Sequence, residues 1–374
     1  PTPAPLWSRG LGDVYKRQAS TLNRLELGSE QAGSRYHKIA MRPEAVQGYL
    51  LKAGVKAIRR KSREVVLDFD ATDDPLHGQQ EGRFFHGYYG HYCYLPLYCF
   101  CGSIPLWAQL RSSDRDASDG TVEALEKIVA ALRRRFGRQL RIIVRGDSGF
   151  AREPIMAFCE EHKNVYYCLG LAKNTRLKAL LEPAMRTVRE QFEPEESSVG
   201  KRRYEQFEYR TLKSWSRTRR VIGKAEVLGK GDNPRFIVTN LPAAGFAGAG
   251  PSDRFAPGPC YERLYCARGD MENRIKEQQL DMFADCTSTH CLRSNQLRLW
   301  LSTFAYMIVD RLRAEALQGT VLARATVGTI RLRLFKVAAS IHLSVRRVHV
   351  RMASAYPYQE IFALALWRLR RDPG

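Results

Sequence analysis

The sequence predicts a mixed α/β protein, a sheet with helices on its faces, interrupted by a β-rich segment. Three observations carry this. Residues 64–171 run in the order strand, hairpin strands, helix, strand, helix, strand. Residues 201–238 then alternate apolar and charged, which predicts a small antiparallel sheet. Finally, 374 residues, 44% hydrophobic and 10% aromatic, suffice for two or three domains with a buried core and exclude wholesale disorder.

The chain opens on Pro1, and its first eighteen residues show neither helical nor strand periodicity, so they are expected to be a tail foreign to the fold. From His37 to Arg60, Val46, Leu50, Val55 and Ile58 fall at helical spacing, predicting one or two helices. EVVLDFD (64–70) reads as the first strand, and Tyr94–Phe100 and Ile104–Leu110 as a hairpin. Val122–Phe136 has apolar residues at 122, 125, 128, 129 and 132 and stops at Gly137, an amphipathic helix. A strand at Leu140–Val144, a helix over Glu153–Glu161 and a strand at Val165–Leu171 follow. Beyond Pro183 the character changes: residues 186–200 are acidic and loop-like, and Pro242–Pro259 reads as a Gly/Ala/Pro-rich linker. Helical spacing resumes over Tyr261–Phe283 and Ser294–Leu317. Period-two runs at Thr329–Phe335 and Ile341–Arg351 predict strands, and a helix from Gln359 to Arg370 closes the chain. The expected division is a tail (1–18), a helical N-terminal remnant (19–62), a core in two parts (63–185 and 249–320), a β-rich insertion between them (186–248), and a C-terminal hairpin and helix (321–374).

Charge narrows the function. Sixty Lys and Arg against 39 Asp and Glu give a net +21, with a pI near 9.8, which calls for a polyanionic partner. Two patches hold most of the excess: residues 201–230, with Arg202, Arg203, Lys213 and Arg219 among them, and residues 311–351, with Arg346 and Arg347. The first interleaves Tyr204, Phe207, Tyr209 and Trp215, and phosphate-backbone binding is expected, with Trp215 either stacking on a flipped or terminal base or packing in the core of the small sheet. The longest apolar run, Leu299–Val309, is about half of the ~20 residues a membrane span needs. No charged and then apolar leader opens the sequence, and its nine scattered cysteines without a C-x-x-C pair suit a reducing cytoplasm. Cys286, His290 and Cys291 lack a fourth ligand at finger-like spacing, so zinc is not expected. No Walker-type loop occurs, and GFAGAG (245–250) reads as flexible.

Three acidic sites stand out. Asp68 and Asp70, two apart, point the same way at the end of the first strand. Asp147 directly follows the strand LRIIV, where ligands bind in α/β sheets. Glu272 lies on a helix on which Tyr265, Arg268 and Lys276 share its face, within an arc of roughly 80° at about 100° per residue. Leu264, Ala267, Met271 and Ile275 form the neighbouring apolar stripe. Such a Glu either belongs to an exposed Arg268–Glu272–Lys276 ladder or holds a metal while its neighbours clasp a phosphate. His77, Lys173 and Asn174 are weaker candidates to approach the site.

At these residues the chain resembles the DDE transposases of bacterial insertion sequences, and most of all the insertion-sequence thirteen-eighty family. The resemblance runs from about Ser20 to Arg370 and is carried by DFDATDDPLHGQQEG (68–82), VRGDSGF (144–150) and the Tyr-x-x-Arg-x-x-x-Glu spacing of Tyr265, Arg268 and Glu272. Where relatives carry Lys seven residues after the Glu, this chain has Gln279, with Lys276 nearest. The resemblance implies a ribonuclease-H-like core with a β insertion. It implies that Asp70, Asp147 and Glu272 bind two Mg²⁺ ions (with Mn²⁺ as substitute) for cleavage at transposon ends and strand transfer, and that Tyr265 and Arg268 contact DNA. It also implies a homodimer on double-stranded DNA in the bacterial nucleoid. The other reading is an inactive, truncated DNA-binding relic.

Overall fold

The computed structural model describes residues 25–26, 40–191, 201–243, 246 and 253–371. The tail at 1–18, most of the acidic loop, part of the expected linker and all of GFAGAG except Phe246 lie outside the described residues. Pro43–Ala57 is helix α1, opened by Pro43 and burying Leu50, Leu51 and Val55. Strand β1 is Glu64–Ala71. The segment after it, expected as a turn, builds a small three-stranded sheet from β2 (Asp74–Pro75), β3 (Phe84–His86) and β4 (His91–Tyr94). The expected strand Tyr94–Phe100 is therefore two, since Pro96, which has no N–H to donate, separates β4 from β5 (Leu97–Cys101). Strand β6 (Ile104–Gln109), helix α2 (Thr121–Phe136), strand β7 (Arg141–Gly146), helix α3 (Glu153–Glu161) and strand β8 (Val165–Leu171) match the sequence-derived order.

Helix α4 (Thr175–Glu190) runs straight through Pro183, which the sequence reading took as a boundary. Asn174 caps it by accepting from Leu177 N–H at 2.9 Å, and burial of Leu177, Leu181, Ala184, Met185 and Val188 offsets the lost helical hydrogen bond. Strands β9 (Arg202–Tyr209), β10 (Arg219–Leu228), β11 (Gly231–Asp232) and β12 (Arg235–Thr239) make up the β-rich segment.

One unbroken helical run over 257–281, α5, then changes its winding: π over Cys260–Tyr265, 3₁₀ over Cys266–Arg268, α over Gly269–Lys276 and π over Glu277–Asp281. Helix α6 is Leu292–Glu315. The expected strand at Thr329–Phe335 is helical instead: α7 (Val327–Ile330) continues as a π turn over Arg331–Phe335. Val327, Ile330 and Leu334 are buried at spacings of three and four, a helical stripe hidden beneath an Arg/Leu alternation. A hairpin of β13 (Ala339–Leu343) and β14 (Val348–Met352) and a last helix, α8 (Gln359–Arg371), follow.

The main sheet has nine strands in the order β6-β5-β1-β7-β8-β12-β10-β9, with β11 bonded to the end of β10. β1, β7 and β8 are parallel; the other pairings are antiparallel. The β-rich segment, expected as a small sheet of its own, continues the main one: β12 pairs with β8 from Phe236↔Leu171 to Thr239↔Cys168. That pairing removes an open edge at β8. Both faces are covered. Val65, Leu67 and Phe69 of β1 point into a core shared with α2, α3 and α4. The opposite face packs on α5 and α6, through Tyr98 and Phe100 at one end and Ile143, Cys168 and Leu264 at the other. Asp68 and Asp70, on the alternate positions of β1, face that second layer.

Candidate active site

Strand register brings the first two carboxylates together. Asp68 of β1 lies opposite Arg145 of the parallel neighbour β7, so two residues further along, Asp70 comes level with Asp147. Both stand at the carboxyl ends of adjacent parallel strands. Asp147 leaves β7 by capping the turn Ser148–Phe150, accepting from Gly149 N–H at 2.8 Å. Asp70 accepts from Ala71 N–H at 3.1 Å.

The third carboxylate arrives on α5, and a buried ion pair sets that helix in place. Arg145 donates to both oxygens of Asp68, with Nη2···Oδ2 at 2.7 Å. It donates also to the Leu264 carbonyl and, at 3.3 Å, to that of Ala267. These carbonyls lie where the winding passes from π to 3₁₀, which loosens the regular i→i−4 bonding and frees them to accept. Burial pushes the Asp68 carboxyl up, with Arg145 pulling against it. Asp68 is thus committed to holding the helix, and Asp70 is the carboxylate left facing the site.

Arg268 stands among the three acids. Its Nη2 lies 2.8 Å from Glu272 Oε1 and its Nη1 3.9 Å from Asp70 Oδ2. Burial raises the Asp70 carboxyl to about 7; Arg268 opposes this, while Asp147 and Glu272 add to it. Burial works against the charge on Arg268, and Asp70, Tyr265, Glu272 and Asp147 overcome it and raise its pKa. Tyr265 is half-buried, and burial raises its phenol. Space around it is tight: a Cβ on Gly170 of β8 would stand 2.6 Å from Tyr265 Oη and 2.8 Å from the Ser148 nitrogen. Only glycine lets β8 pass beneath both.

Arg268 therefore pairs with Glu272 and reaches toward Asp70, while Asp147 acts on both Asp70 and Arg268 through its charge. Among the described residues no group of three or more His, Cys, Asp or Glu side chains stands ready to hold a metal, and the cation between these carboxylates is Arg268. The donor set, oxygen only and acidic, fits hard divalent ions.

The other expected residues fall in several places. Lys276 is exposed one turn past Glu272 and forms no ion pair among the described residues, whereas Gln279 ties α5 to the start of β2, donating to Asp74 Oδ1 at 2.8 Å and the Asp73 carbonyl at 3.0 Å. Arg202 pairs with Glu262 and Arg203 with Glu205, both at the surface. Lys213 is exposed, as are Arg346 and Arg347 in the β13–β14 turn. Arg219 is not DNA-facing as expected. It is buried against Glu153 and Glu160 and over the Trp215 ring, so it fastens β10 to α3. Trp215 is likewise buried, edge-on to Tyr209 at 5.7 Å, and offers no free face to a base. His77 is exposed, Lys173 is exposed, and Asn174 is a helix cap. Cys286 and Cys291 are exposed free thiols.

The sequence reading missed the aromatic segment 84–92. Phe84, Phe85, Tyr88 and Tyr92 are all exposed, while Tyr89 Oη donates to the Ala71 carbonyl at 3.4 Å, next to Asp70. The signal was present as GRFFHGYYGHY, which fits neither a core strand nor a polar turn.

The family model described as "Transposase DDE domain group 1" matches residues 17–373. No curated protein matches. Among solved structures, the chain matches the cryo-EM structure of a piggyBac transposase synaptic complex with hairpin DNA, at 10% identity and a TM-score of 0.28, over 66% of this chain and 54% of that one. The matched region spans about half the length of that relative. No described helix is long and apolar enough to cross a membrane.

Proposed function

The chain belongs to the transposase DDE domain group 1 family, and from that premise we propose that it is a metal-dependent DNA transposase that cuts at transposon ends and joins the freed 3′ end to target DNA. The observation that supports this most is that strand register sets Asp70 level with Asp147 while Arg268 pairs with Glu272 and reaches toward Asp70. Asp70, Asp147 and Glu272 would hold two Mg²⁺ ions, or Mn²⁺ in their place, which supply charge stabilisation at phosphorus and acidify the attacking hydroxyl. Asp70 and Asp147 sit on hydrogen-bonded strand ends and fix position. Glu272, whose side chain is 44% exposed, has room to turn from Arg268 toward a ligand. Arg268 balances the carboxylates while they are otherwise unpaired and can turn its fork to a phosphate oxygen, beside Tyr265. In the first step a water oxygen replaces the bridging 3′ oxygen at the scissile phosphorus, leaving a 3′-OH and a 5′-phosphate. In the second, that 3′ oxygen replaces a bridging oxygen of the target strand, which departs as a new 3′-OH.

The ribonuclease-H-like reading rests on strand order: β6-β5-β1-β7-β8 is an antiparallel meander followed by two parallel strands. The spacing of Tyr265, Arg268 and Glu272 favours the insertion-sequence thirteen-eighty branch. Arg202, Arg203, Lys213, Arg346 and Arg347 are the proposed backbone contacts of a homodimer on DNA in the nucleoid. The test is labelled DNA carrying candidate ends, titrated with Mg²⁺ and Mn²⁺, comparing wild type with Glu272→Gln. Nicking by the wild type that the variant loses, with duplex binding intact, is expected. A variant that still cuts refutes the assignment, and binding without nicking by either favours the inactive relic.

A further inference from the structure

The segment from Gly82 to Tyr92 departs from what a soluble surface usually carries. Phe84 is 44% exposed, Phe85 58%, Tyr88 87% and Tyr92 44%, and a cluster of large apolar rings of this kind marks a binding surface. The rings touch mostly one another, in the edge-to-face pairs Phe85–Tyr92 at 5.7 Å and Tyr88–Tyr89 at 5.0 Å, and Phe85 and Tyr88 remain the most open to solvent. The root of the flap is fixed. Ser113 Oγ donates to the Phe84 carbonyl at 2.9 Å, His91 pairs with Asp73 at 2.7 Å, and Tyr89 bonds to the carbonyl of the residue after Asp70. Burial raises the Tyr89 phenol, and Asp73, Asp70 and Asp147 raise it further, a sign of how near the flap lies to the carboxylates. Between Gly82 and Tyr92 there is no acidic residue, and the Arg83 guanidinium lies 4.5 Å over the Tyr92 ring.

The occupant of such a surface must present flat apolar faces together with negative charge, and must reach the carboxylate pair. An unpaired stretch of DNA does all three. We propose that this flap is a stacking platform for unpaired nucleobases of the strand whose phosphodiester lies at Asp70 and Asp147. It rests on the DNA-cleaving function proposed above. It also supplies what Trp215, buried beneath Arg219, cannot.

The test uses the full chain without divalent metal, so that DNA stays intact, and a duplex ending in a short unpaired tail that carries 2-aminopurine. Wild type is expected to quench the probe. Phe85→Ala, Tyr88→Ala and their double variant, all at exposed rings, should lose the quench and bind tailed DNA roughly 5- to 150-fold more weakly, the range for one stacked base. Blunt-duplex affinity should be unchanged, and Tyr88→Trp should restore the quench. Variants that quench like wild type, or that weaken blunt and tailed DNA equally, overturn the platform. So does a variant that keeps the quench but sediments as a smaller species, which would assign the flap to a second copy of the chain. The nicking assay stands apart: quenching without nicking would retain the platform and refute the transposase chemistry, while no binding of either DNA would refute both.

Discussion

Asp70→Asn should make the metal-free protein more stable, and only at neutral to alkaline pH. In the folded protein burial, with Asp147 and Glu272, raises the Asp70 carboxyl from 3.8 to about 7. Between those values the folded chain holds a proton that the unfolded chain has already released, so stability falls as pH rises through this window. Above pH 7 the full penalty on the buried anion applies. At ~1.4 kcal/mol per tenfold change it comes to about 4 kcal/mol, of which we expect about 2–4 kcal/mol to be recovered. The amide keeps the Ala71 N–H acceptor and the side chain's shape, and gives up only the long contact to Arg268. Urea denaturation at pH 8 in a chelator should show the variant's midpoint above the wild type's, and at pH 4 the two should nearly coincide. Adding Mg²⁺ at pH 8 should then raise the wild type toward or past the variant, because binding to the folded state stabilises it by mass action. Equal stability at pH 8, or a gain of the same size at both pH values, would refute the picture of a carboxylate held charged at a cost to the fold.

Two further outcomes concern the supports of the site. Asp68→Asn leaves the Arg145 guanidinium buried without its counter-ion and should cost roughly 3–5 kcal/mol in urea denaturation; a loss under about 1 kcal/mol would show that the pair does not hold α5. Gly170→Ala places a methyl 2.6 Å from Tyr265 Oη and 2.8 Å from the Ser148 nitrogen. Nicking should fall at least tenfold for a stability loss of about 1–3 kcal/mol, and wild-type nicking rates would show that this packing does not position Asp147.

Much of the site was legible because it follows from local periodicity. Asp70 ends a β-branched run, Asp147 follows an apolar one, and Arg268 and Glu272 are separated by one helical turn, so each could be placed on an element before any contact was known. What was not legible depends on contacts distant in sequence. Nothing near Asp68 announces Arg145, 77 residues on, and so two acids of equal appearance have opposite fates. Arg219 stands in a basic stretch like a surface group, and only its pairing with Glu153 and Glu160 of α3, distant in sequence, shows it buried, with Trp215 beneath it. Pro183 and the Arg/Leu alternation after Thr329 misled for another reason: burial of one helix face outweighed a local preference. Gln279, standing where relatives carry Lys, proves to be a structural tie whose partner, Asp74, is 205 residues away.

The seam between β12 and β8 has a mechanical meaning. A module joined by linkers alone can swing, and the shape of whatever it grips is then set by the hinge. Here the backbone of residues 236–239 is stitched into the strand beside the one that delivers Asp147, so the β-rich arm and the carboxylates form a single lever. Its amides should exchange with deuterium as slowly as those of β7, and a load placed on the arm would be passed to Asp147 across two strands.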